Sequence, residues 1–308
     1  MNRPRPVHHH GGRVVAAAAE LGCAVDEVLD LSASLNPFAP DVGAIVQRAA
    51  RRSVAYPDDT AAVAAMATAL GEPVERVVLT NGASEAIAVL AGMHPIGDVA
   101  EPEFSQYRRH LSDVRPGAPR WRSNPSAPLG RLASDEDQAF VWDESFHALA
   151  TGRWSRGESA TWRIASLTKT WRCPGVRIGY VIAPTPDDAR HFRTRLPEWS
   201  VSALACAVVE QLAAESRLTE WAELIASARA RLVAELAHRG LAVRDTDANW
   251  VLIDDAAWLV EPLYRRRVLV RELTDYGLPG TVRVAVATDD DTDRLLSALD
   301  GAVSSCAR

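Results

Sequence analysis

Short apolar runs alternate with helical patterns along much of the chain, and this alternation constrains the fold more than any other feature. The apolar runs predict β-strands at residues 77–80, 140–142, 162–165 and 180–183. The spacing between them predicts helices at residues 61–70, 85–92 and 187–196. Strands that alternate with helices build a mostly parallel sheet covered by those helices. The sequence therefore predicts an α/β fold.

The pattern changes from Ser200 onward to long alanine-rich helices, predicted at residues 202–215 and 218–238, with Gly240 as the C-cap of the second. The following segments predict strands at residues 242–244, 250–253, 268–271 and 281–286, and helices at 256–266 and 292–299. The acidic run at residues 289–291 suits the N-terminus of the last helix. We predict an N-terminal arm at residues 1–36, a large domain at 37–215 and a small α+β domain at 216–308.

Composition limits the class of ligand. With 308 residues and 47% hydrophobic content, the chain can bury a full core. A net charge of −6 argues against a nucleic-acid partner, which favours a basic surface. The four cysteines are dispersed, so we expect neither a disulfide framework nor a metal site. No segment has the pattern of a signal peptide or a membrane span, and we expect a cytoplasmic protein without a membrane partner.

The segment from residue 166 to residue 180 has the most specific chemistry. It contains one lysine, Lys169, close to the hydroxyls of Ser166 and Thr168, and Arg177 follows eight residues later. Arginine holds a phosphate through two parallel hydrogen bonds, and hydroxyls add neutral donors. The amine of Lys169 suits an imine with a phosphorylated aldehyde cofactor. The alternative is a solvated lysine beside an ordinary surface arginine.

Three further positions add to this hypothesis. Residues 80–85 join a strand to a helix, where free N–H groups favour an anion and Gly82 permits close approach, although Gly82 also suits a simple tight turn. Asp143 follows a strand at the sheet edge that binds ligands, where a carboxylate favours a protonated pyridine ring; the alternative is a helix N-cap. Phe104 offers a ring for stacking, or for core packing.

Taken in order, these segments resemble the fold-type I pyridoxal-phosphate enzymes of the class I and II aminotransferase group. The resemblance runs from about His10 to Leu299. Within the group, the segments at residues 10–12, 30–37 and 56–58 are most similar to the threonine-phosphate decarboxylases of cobalamin biosynthesis, whose relatives are the histidinol-phosphate aminotransferases. The resemblance implies a large domain with a mostly parallel sheet, pyridoxal 5′-phosphate as cofactor and a homodimer.

The resemblance also implies roles for individual residues. Lys169 would be the Schiff-base lysine, Asp143 would contact the pyridine nitrogen, and Phe104 would stack on the ring. The remaining cofactor contacts would be Gly82, Ala83, Ser84, Asn124, Ser166, Thr168 and Arg177, with Tyr56 reaching the phosphate of the neighbouring subunit. The implied substrate contacts are His10, Asn36, Arg271 and Arg283.

The chain also departs from its relatives. Residues 124–130 read Asn-Pro-Ser-Ala-Pro-Leu-Gly instead of Asn-Pro-Asn-Asn-Pro-Thr-Gly, so Ala127 replaces the amide expected at the ring hydroxyl. Phe146 stands where many aminotransferases have tyrosine, although phenylalanine is familiar among the decarboxylases. The stretches at residues 107–124 and 130–143 are too short for the strand and helix expected there.

These observations lead to three functional hypotheses. The first is a decarboxylase that acts on a small phosphorylated amino acid such as threonine phosphate. The second is an aminotransferase of the histidinol-phosphate type. The third is a degenerate, non-catalytic protein that binds pyridoxal phosphate, which the replacement at Ala127 and the shortened domain motivate.

Overall fold

The structure, a computed structural model, describes residues 11–158 and 160–306. The chain divides into two compact units. One unit spans Leu35–Ala226, and the other combines the residues up to Ser34 with those from Ser227 onward. The domain boundaries that the sequence suggests after residues 36 and 215 stay predictions.

The α-helices are α1 (Val14–Leu21), α2 (Val42–Ala49), α3 (Thr60–Leu70), α4 (Ala83–Met93), α5 (Gln106–His110), α6 (His147–Thr151), α7 (Leu167–Thr170), α8 (Pro186–Arg193), α9 (Ala203–Glu215), α10 (Leu218–His238), α11 (Val260–Arg265) and α12 (Asp289–Cys306). Among the helices that the structure describes, none combines the length and apolarity that a membrane crossing requires. The strands are β1 (Leu29–Asp30), β2 (Val77–Thr80), β3 (Ile96–Gly97), β4 (Asp113–Val114), β5 (Trp121–Ser123), β6 (Val141–Asp143), β7 (Trp162–Ser166), β8 (Gly179–Ile182), β9 (Ala242–Arg244), β10 (Trp250–Asp254), β11 (Val268–Leu269), β12 (Arg271–Glu272) and β13 (Val282–Ala285).

The larger unit contains a five-stranded sheet in the order β2-β8-β7-β6-β5. Strands β5, β6 and β7 run parallel, whereas β8 is antiparallel to both β7 and β2. Strand β2 therefore points the same way as β5, β6 and β7, and β8 alone is reversed. Strands β2, β6, β7 and β8 are buried along their whole length, as expected for a sheet covered on both faces. The predicted α/β fold with a mostly parallel sheet is confirmed.

Alternate side chains of these strands pack into two hydrophobic cores. Val78 and Val181 contribute to the core that includes residues of α4. Their neighbours Leu79 and Tyr180 contribute to the core that includes residues of α3 and α9. This alternation holds the sheet between two helical layers and leaves its strand ends available for a site.

The smaller unit contains a four-stranded antiparallel sheet in the order β12-β13-β10-β9. A separate parallel pair joins β1 to β11. Apolar residues of β10 and β13, among them Val251 and Val284, share one core with Leu236 of α10 and Leu295 of α12. The predicted α+β character of this region is confirmed.

Two predictions for the smaller unit were wrong in detail. The strand predicted at residues 268–271 is interrupted at Val270, because β11 pairs with β1 whereas β12 pairs with β13. Two different partners require two separate ladders. The helix predicted at residues 292–299 is longer and begins at Asp289, so the acidic run lies in its first turn, where carboxylates complement the helix dipole.

The two stretches that the sequence predicts to be too short for a strand and a helix differ in content, because residues 107–124 include most of α5 and all of β4 and β5, contrary to the prediction. After α5 ends at His110, residues 111–123 contain β4 and β5 but no helix. Residues 130–140 contain neither a helix nor a strand before β6 begins. The connection from β5 to β6, residues 124–140, therefore contains no helix.

Candidate active site

The carboxyl ends of several strands meet at one edge of the five-stranded sheet. Gly179, at the start of β8, pairs with Thr80 at the end of β2 and with Ser166 at the end of β7. On the next strands, Asp143 ends β6 and pairs with Ser123 at the end of β5. This edge brings together the loops after β2, β5, β6 and β7, where open α/β sheets bind ligands.

Lys169 lies in the short helix α7, directly after β7. Its Nζ is 5.9 Å from the centre of the Phe146 ring. Asn36 is fully buried beside this segment. Its backbone N–H donates to the carbonyl of Lys169 at 3.0 Å, and its Nδ2 donates to the carbonyl of Thr170 at 2.9 Å. Asn36 therefore supports the lysine segment, while its contact with substrate stays a prediction.

The lysine content of the whole chain gives further support to a role for Lys169. Lys169 is the only lysine among 308 residues, and the other 33 of the 34 cationic Lys and Arg residues are arginines. Arginine replaces lysine well in surface ion pairs, but its guanidinium does not lose its proton and is no nucleophile. A lysine retained in such a chain indicates that this position requires an amine.

Gly82 makes the turn between β2 and α4 with a φ of +80°. A Cβ at this position would collide with the guanidinium of Arg177. Arg177 in turn donates to the carbonyl of Pro174 at 3.2 Å. The glycine is therefore needed both for its backbone conformation and for the close approach of the arginine. This contact favours the ligand-binding interpretation of Gly82 over the simple turn.

Hydrogen-bond donors suited to a phosphate lie around this turn. The N–H groups of Ala83 and Ser84, at the N-terminus of α4, make no hydrogen bond to any residue that the structure describes. The hydroxyls of Ser166 and Thr168 lie 2.7 Å apart at the end of β7. With the guanidinium of Arg177, these groups supply the helix-terminal and charged donors that bind phosphate.

Asp143 is a buried carboxylate at the end of β6. Its Oδ2 accepts a hydrogen bond from the hydroxyl of Tyr107 at 2.9 Å, and its Oδ1 accepts one from the N–H of Ser145 at 3.0 Å. Burial raises its pKa, whereas these two bonds and the charge of Lys169 oppose the rise. The N-cap of α6 is Phe146, so Asp143 does not cap that helix.

Replacement of Tyr107 by phenylalanine should weaken the ionised form of Asp143. A hydrogen bond to a charged group contributes about 1.5 to 3 kcal/mol, so we expect the turnover number of Tyr107→Phe to fall about tenfold. Tyr180→Phe is the matched control, because the buried hydroxyl of Tyr180 donates to the carbonyl of Trp154 at 3.1 Å. Steady-state kinetics at saturating cofactor measure the effect. Equal turnover in the two variants would contradict the assignment.

Phe104 is half-buried next to this carboxylate. Its ring packs edge to face on Tyr107, with ring centres 5.8 Å apart. It also packs against the hydrophobic core under α4. The structure thus shows the packing role of Phe104, and its stacking on a cofactor ring stays a prediction.

Glu103 is a buried carboxylate that sequence reasoning missed. It accepts hydrogen bonds from the hydroxyl of Ser123 at 2.5 Å and from the N–H of the same residue at 3.0 Å. The Ser123 hydroxyl also accepts from the N–H of Ala127 at 2.7 Å. Burial raises the pKa of Glu103 to about 7. In the sequence, only the position of Glu103 between a proline and a phenylalanine could have indicated that it is buried. Through Ser123, Glu103 anchors the loop at residues 124–130.

Asn124, the first residue of that loop, lies beside His147. The Oδ1 of Asn124 accepts from the N–H of Ala133 at 2.9 Å, and its Nδ2 is 3.4 Å from Nδ1 of His147. Ala127 is buried and brings no side-chain donor. The contact of Asn124 with the cofactor stays a prediction.

His147 should make the protein less stable in mild acid. Burial lowers its pKa to about 4, and the charges of Arg156 and Arg153 act in the same direction. A histidine in an unfolded chain titrates near pH 6.5, so the unfolded state binds more protons as the pH falls from about 6.5 to 4. Between pH 7 and pH 5 this group alone should remove about 2 kcal/mol from the free energy of unfolding.

Denaturant unfolding of His147→Gln at several pH values tests this effect. The variant should lose less stability than the wild type between pH 7 and pH 5. His191→Gln, which alters an exposed histidine, is the control and should follow the wild type. An identical pH dependence for all three proteins would show that His147 is not the group responsible.

Arg271 and Arg283 belong to the smaller unit, where they lie opposite each other on β12 and β13. The Nη2 of Arg283 donates to the carbonyl of Ser32 at 3.1 Å, and the hydroxyl of Ser32 accepts from the N–H of Gly12 at 3.0 Å. The motif segments at residues 11–12 and 30–32 therefore meet next to Arg283. His10 lies outside the described residues, and the substrate contacts of these three residues stay predictions.

Comparisons with known proteins agree with this geometry. A family model for aminotransferase class I and II matches residues 138–299, just over half of the 308 residues. Histidinol-phosphate aminotransferase 1 of Dechloromonas aromatica is 25% identical, and the alignment covers 95% of each protein. Threonine-phosphate decarboxylase of Salmonella typhimurium is 27% identical, with 94% of this chain and 95% of that protein covered.

The fold has a close structural neighbour as well. Histidinol-phosphate aminotransferase of Sinorhizobium meliloti, solved in complex with pyridoxal-5′-phosphate, superposes with a TM-score of 0.83 at 19% identity and covers 99% of each chain. The lysine, the buried carboxylate and the turn at Gly82 at the sheet edge fit that cofactor. The chain therefore belongs to the aminotransferase class I and II family and is a pyridoxal-phosphate-dependent enzyme.

Proposed function

We propose that the enzyme decarboxylates a small phosphorylated amino acid of the threonine-phosphate type, as in cobalamin biosynthesis. The observation that carries this proposal is the ring of Phe146, whose centre is 5.9 Å from the amine of Lys169. An apolar ring at this position is familiar in the decarboxylases, whereas many aminotransferases have a tyrosine hydroxyl there. The similarity to the decarboxylase of Salmonella typhimurium supports the proposal.

Each residue at the sheet edge would have a separate role toward the cofactor or the substrate. Pyridoxal phosphate, when bound, supplies an aldehyde that links to amines and a ring that withdraws electrons from the α-carbon of the substrate. Lys169 would hold that aldehyde, and its amine would carry a proton to or from the α-carbon. Asp143 would keep the ring nitrogen protonated. Arg177, Ser166 and the N–H groups at the start of α4 would hold the phosphate.

The reaction branch depends on how the substrate is oriented. The cofactor ring would weaken whichever bond at the α-carbon the substrate-binding residues present to it. Presentation of the carboxylate would favour loss of carbon dioxide with a proton delivered from Lys169 to the α-carbon, and presentation of the hydrogen would favour transamination with Lys169 moving that proton. We assign the α-carboxylate to Arg283 and Asn36, and the phosphate to Arg271 and His10. Such orientation contributes several kcal/mol in organised sites.

An aminotransferase of the histidinol-phosphate type is the second candidate. It is favoured by the relative from Dechloromonas aromatica, which matches this chain over an equal share of its length. Both candidates require the same lysine, carboxylate and phosphate-binding turn. They differ in the bond that the substrate-binding residues present to the ring.

One experiment separates the two candidates. The purified holoenzyme is incubated with O-phospho-L-threonine labelled in its carboxyl group, and separately with histidinol phosphate. We expect labelled carbon dioxide and aminopropanol phosphate from the first substrate. Conversion of the cofactor to its pyridoxamine form, reversed by a 2-oxo acid, would support the aminotransferase instead. No reaction with either substrate would overturn both candidates.

We further propose that the enzyme is a cytoplasmic homodimer. Tyr56 is 77% exposed, although its ring stacks on Trp199 with ring centres 4.2 Å apart. An exposed aromatic pair of this kind suits contact with a second copy of the chain. Sedimentation measures the oligomeric state. If Tyr56 serves the neighbouring subunit, a mixture of the inactive variants Tyr56→Ala and Lys169→Ala should regain part of the activity.

A further inference from the structure

The two arginines assigned to the substrate have different electrostatic environments. Arg271 and Arg283 are direct Cα partners in the antiparallel ladder of β12 and β13. Like charges at directly opposite positions of a ladder repel each other. The groups that neutralise each arginine therefore determine which anions the pair accepts.

Arg271 already has a carboxylate partner. Its Nη2 is 2.5 Å from Oδ2 of Asp275, four residues later. The side chain of Arg271 is 3% exposed, whereas that of Asp275 is 33% exposed. The ring of Tyr276 lies on the same guanidinium, with its centre 6.0 Å away. Arg271 and Asp275 together form a nearly neutral pair at the rim of the smaller unit.

Arg283 has no such partner. It forms no ion pair with any residue that the structure describes. Its Nε is buried and makes no hydrogen bond within the described residues, and its guanidinium lies 5.2 Å from the centre of the Trp250 ring. Burial lowers the pKa of Arg283, the charge of Arg271 adds to this, and Tyr276 and the charge of Asp275 oppose it. Arg283 is therefore a buried cation without an ion-pair partner among the described residues, although the charge of Asp275 also acts on it.

We propose that Asp275 is a specificity-determining residue that competes with the distal phosphate of the substrate for the guanidinium of Arg271. The inference rests on the proposed function, in which Arg283 takes the α-carboxylate and Arg271 takes the phosphate. Asp275 occupies the guanidinium that the phosphate would use, so two anions compete for one cation. A distal group with a single negative charge meets less repulsion from Asp275 than a dianion does.

A purely orienting role of Asp275 predicts the opposite result. If the carboxylate only aimed the guanidinium of Arg271 at the substrate, its removal would weaken phosphate binding. If it competes with phosphate, its removal strengthens phosphate binding and leaves an uncharged distal group unaffected. The sign of the change therefore separates the two roles.

Ligand titration of the holoenzyme measures that sign. Wild type, Asp275→Asn and Asp275→Ser are titrated with O-phospho-L-threonine and with L-threonine, and the visible absorption of the cofactor reports binding. We expect both variants to bind O-phospho-L-threonine about tenfold more tightly than the wild type and L-threonine equally well. Glu272→Gln is the matched control, because Glu272 accepts from the hydroxyl of Thr274 at 2.8 Å. It should change neither affinity.

Calorimetric titration of the same holoenzymes with inorganic phosphate provides an independent readout. The cofactor already fills its own phosphate site, so added phosphate reports on Arg271. Tighter phosphate binding by the Asp275 variants is expected, and unchanged or weaker binding overturns the inference. A wild-type holoenzyme whose absorption responds to neither amino acid would overturn the proposed function instead, and the phosphate titration would still test Asp275.

Discussion

The Lys169→Ala protein should bind no cofactor covalently and should lose at least about a thousandfold in turnover, because the nucleophile and the proton carrier are the same amine. Borohydride reduction in the presence of pyridoxal phosphate, followed by peptide mass spectrometry, measures the covalent link. Lys169 is the only lysine of the chain, so a labelled lysine in the wild-type protein can be no other residue. The variant should carry no label on any side chain.

Two further variants control for charge and for lysine content. Lys169→Arg keeps a cation near Asp143 but has no nucleophilic amine, and it should also remain unlabelled. Arg172→Lys in that background restores a lysine at an exposed position three residues away. It should restore neither the label nor turnover. A visible cofactor band in Lys169→Arg, with an unchanged melting temperature, would contradict the role of Lys169.

Asp143→Asn should lower the turnover number about a hundredfold to a thousandfold, the range measured when one electrostatic group is removed from a closed site. The amide keeps the shape of the side chain, and its oxygen can accept one of the two hydrogen bonds that Tyr107 and Ser145 donate to separate oxygens of Asp143. It cannot supply the negative charge that favours a protonated ring nitrogen. Turnover at saturating cofactor separates this effect from weaker cofactor binding.

Glu144→Gln is the matched control for Asp143→Asn. Glu144 is the next residue, also buried, and burial raises its pKa to about 7. Successive strand residues face opposite sides of a sheet, and Glu144 accepts from the N–H of Arg156 at 2.9 Å instead of from Tyr107. The control should alter stability but not turnover per folded molecule. Equal losses in the two variants would show that burial alone is responsible.

Most helices and strands could be predicted, because the spacing of apolar residues within a segment depends on the secondary structure of that segment. The helix at residues 218–238 and the strand at residues 77–80 have the predicted bounds. The strand at residues 268–271 was predicted wrongly because its interruption depends on β1 and β13, which are distant in sequence. The order of strands in the sheet depends in the same way on pairings that no local pattern records.

The candidate site could be predicted in part for the same reason. Lys169, Asp143 and Gly82 each follow a strand, so their residue type and position identified them one by one. The parallel strands then bring them to one edge of the sheet. Tyr107 and Glu103 were not identified as partners, because a hydroxyl or carboxylate becomes significant only when folding buries it against another polar group.

By itself, the sequence determined the family, the α/β class and the cofactor chemistry, since these depend on periodicity and on motifs within short segments. The tertiary structure alone decided that Tyr107 bonds to Asp143, that Arg177 packs on Gly82, and that Asp275 neutralises Arg271. The physical reason is that strand pairing and burial select which polar groups meet. In a buried site, these contacts between polar groups determine the charge that each group presents to a ligand.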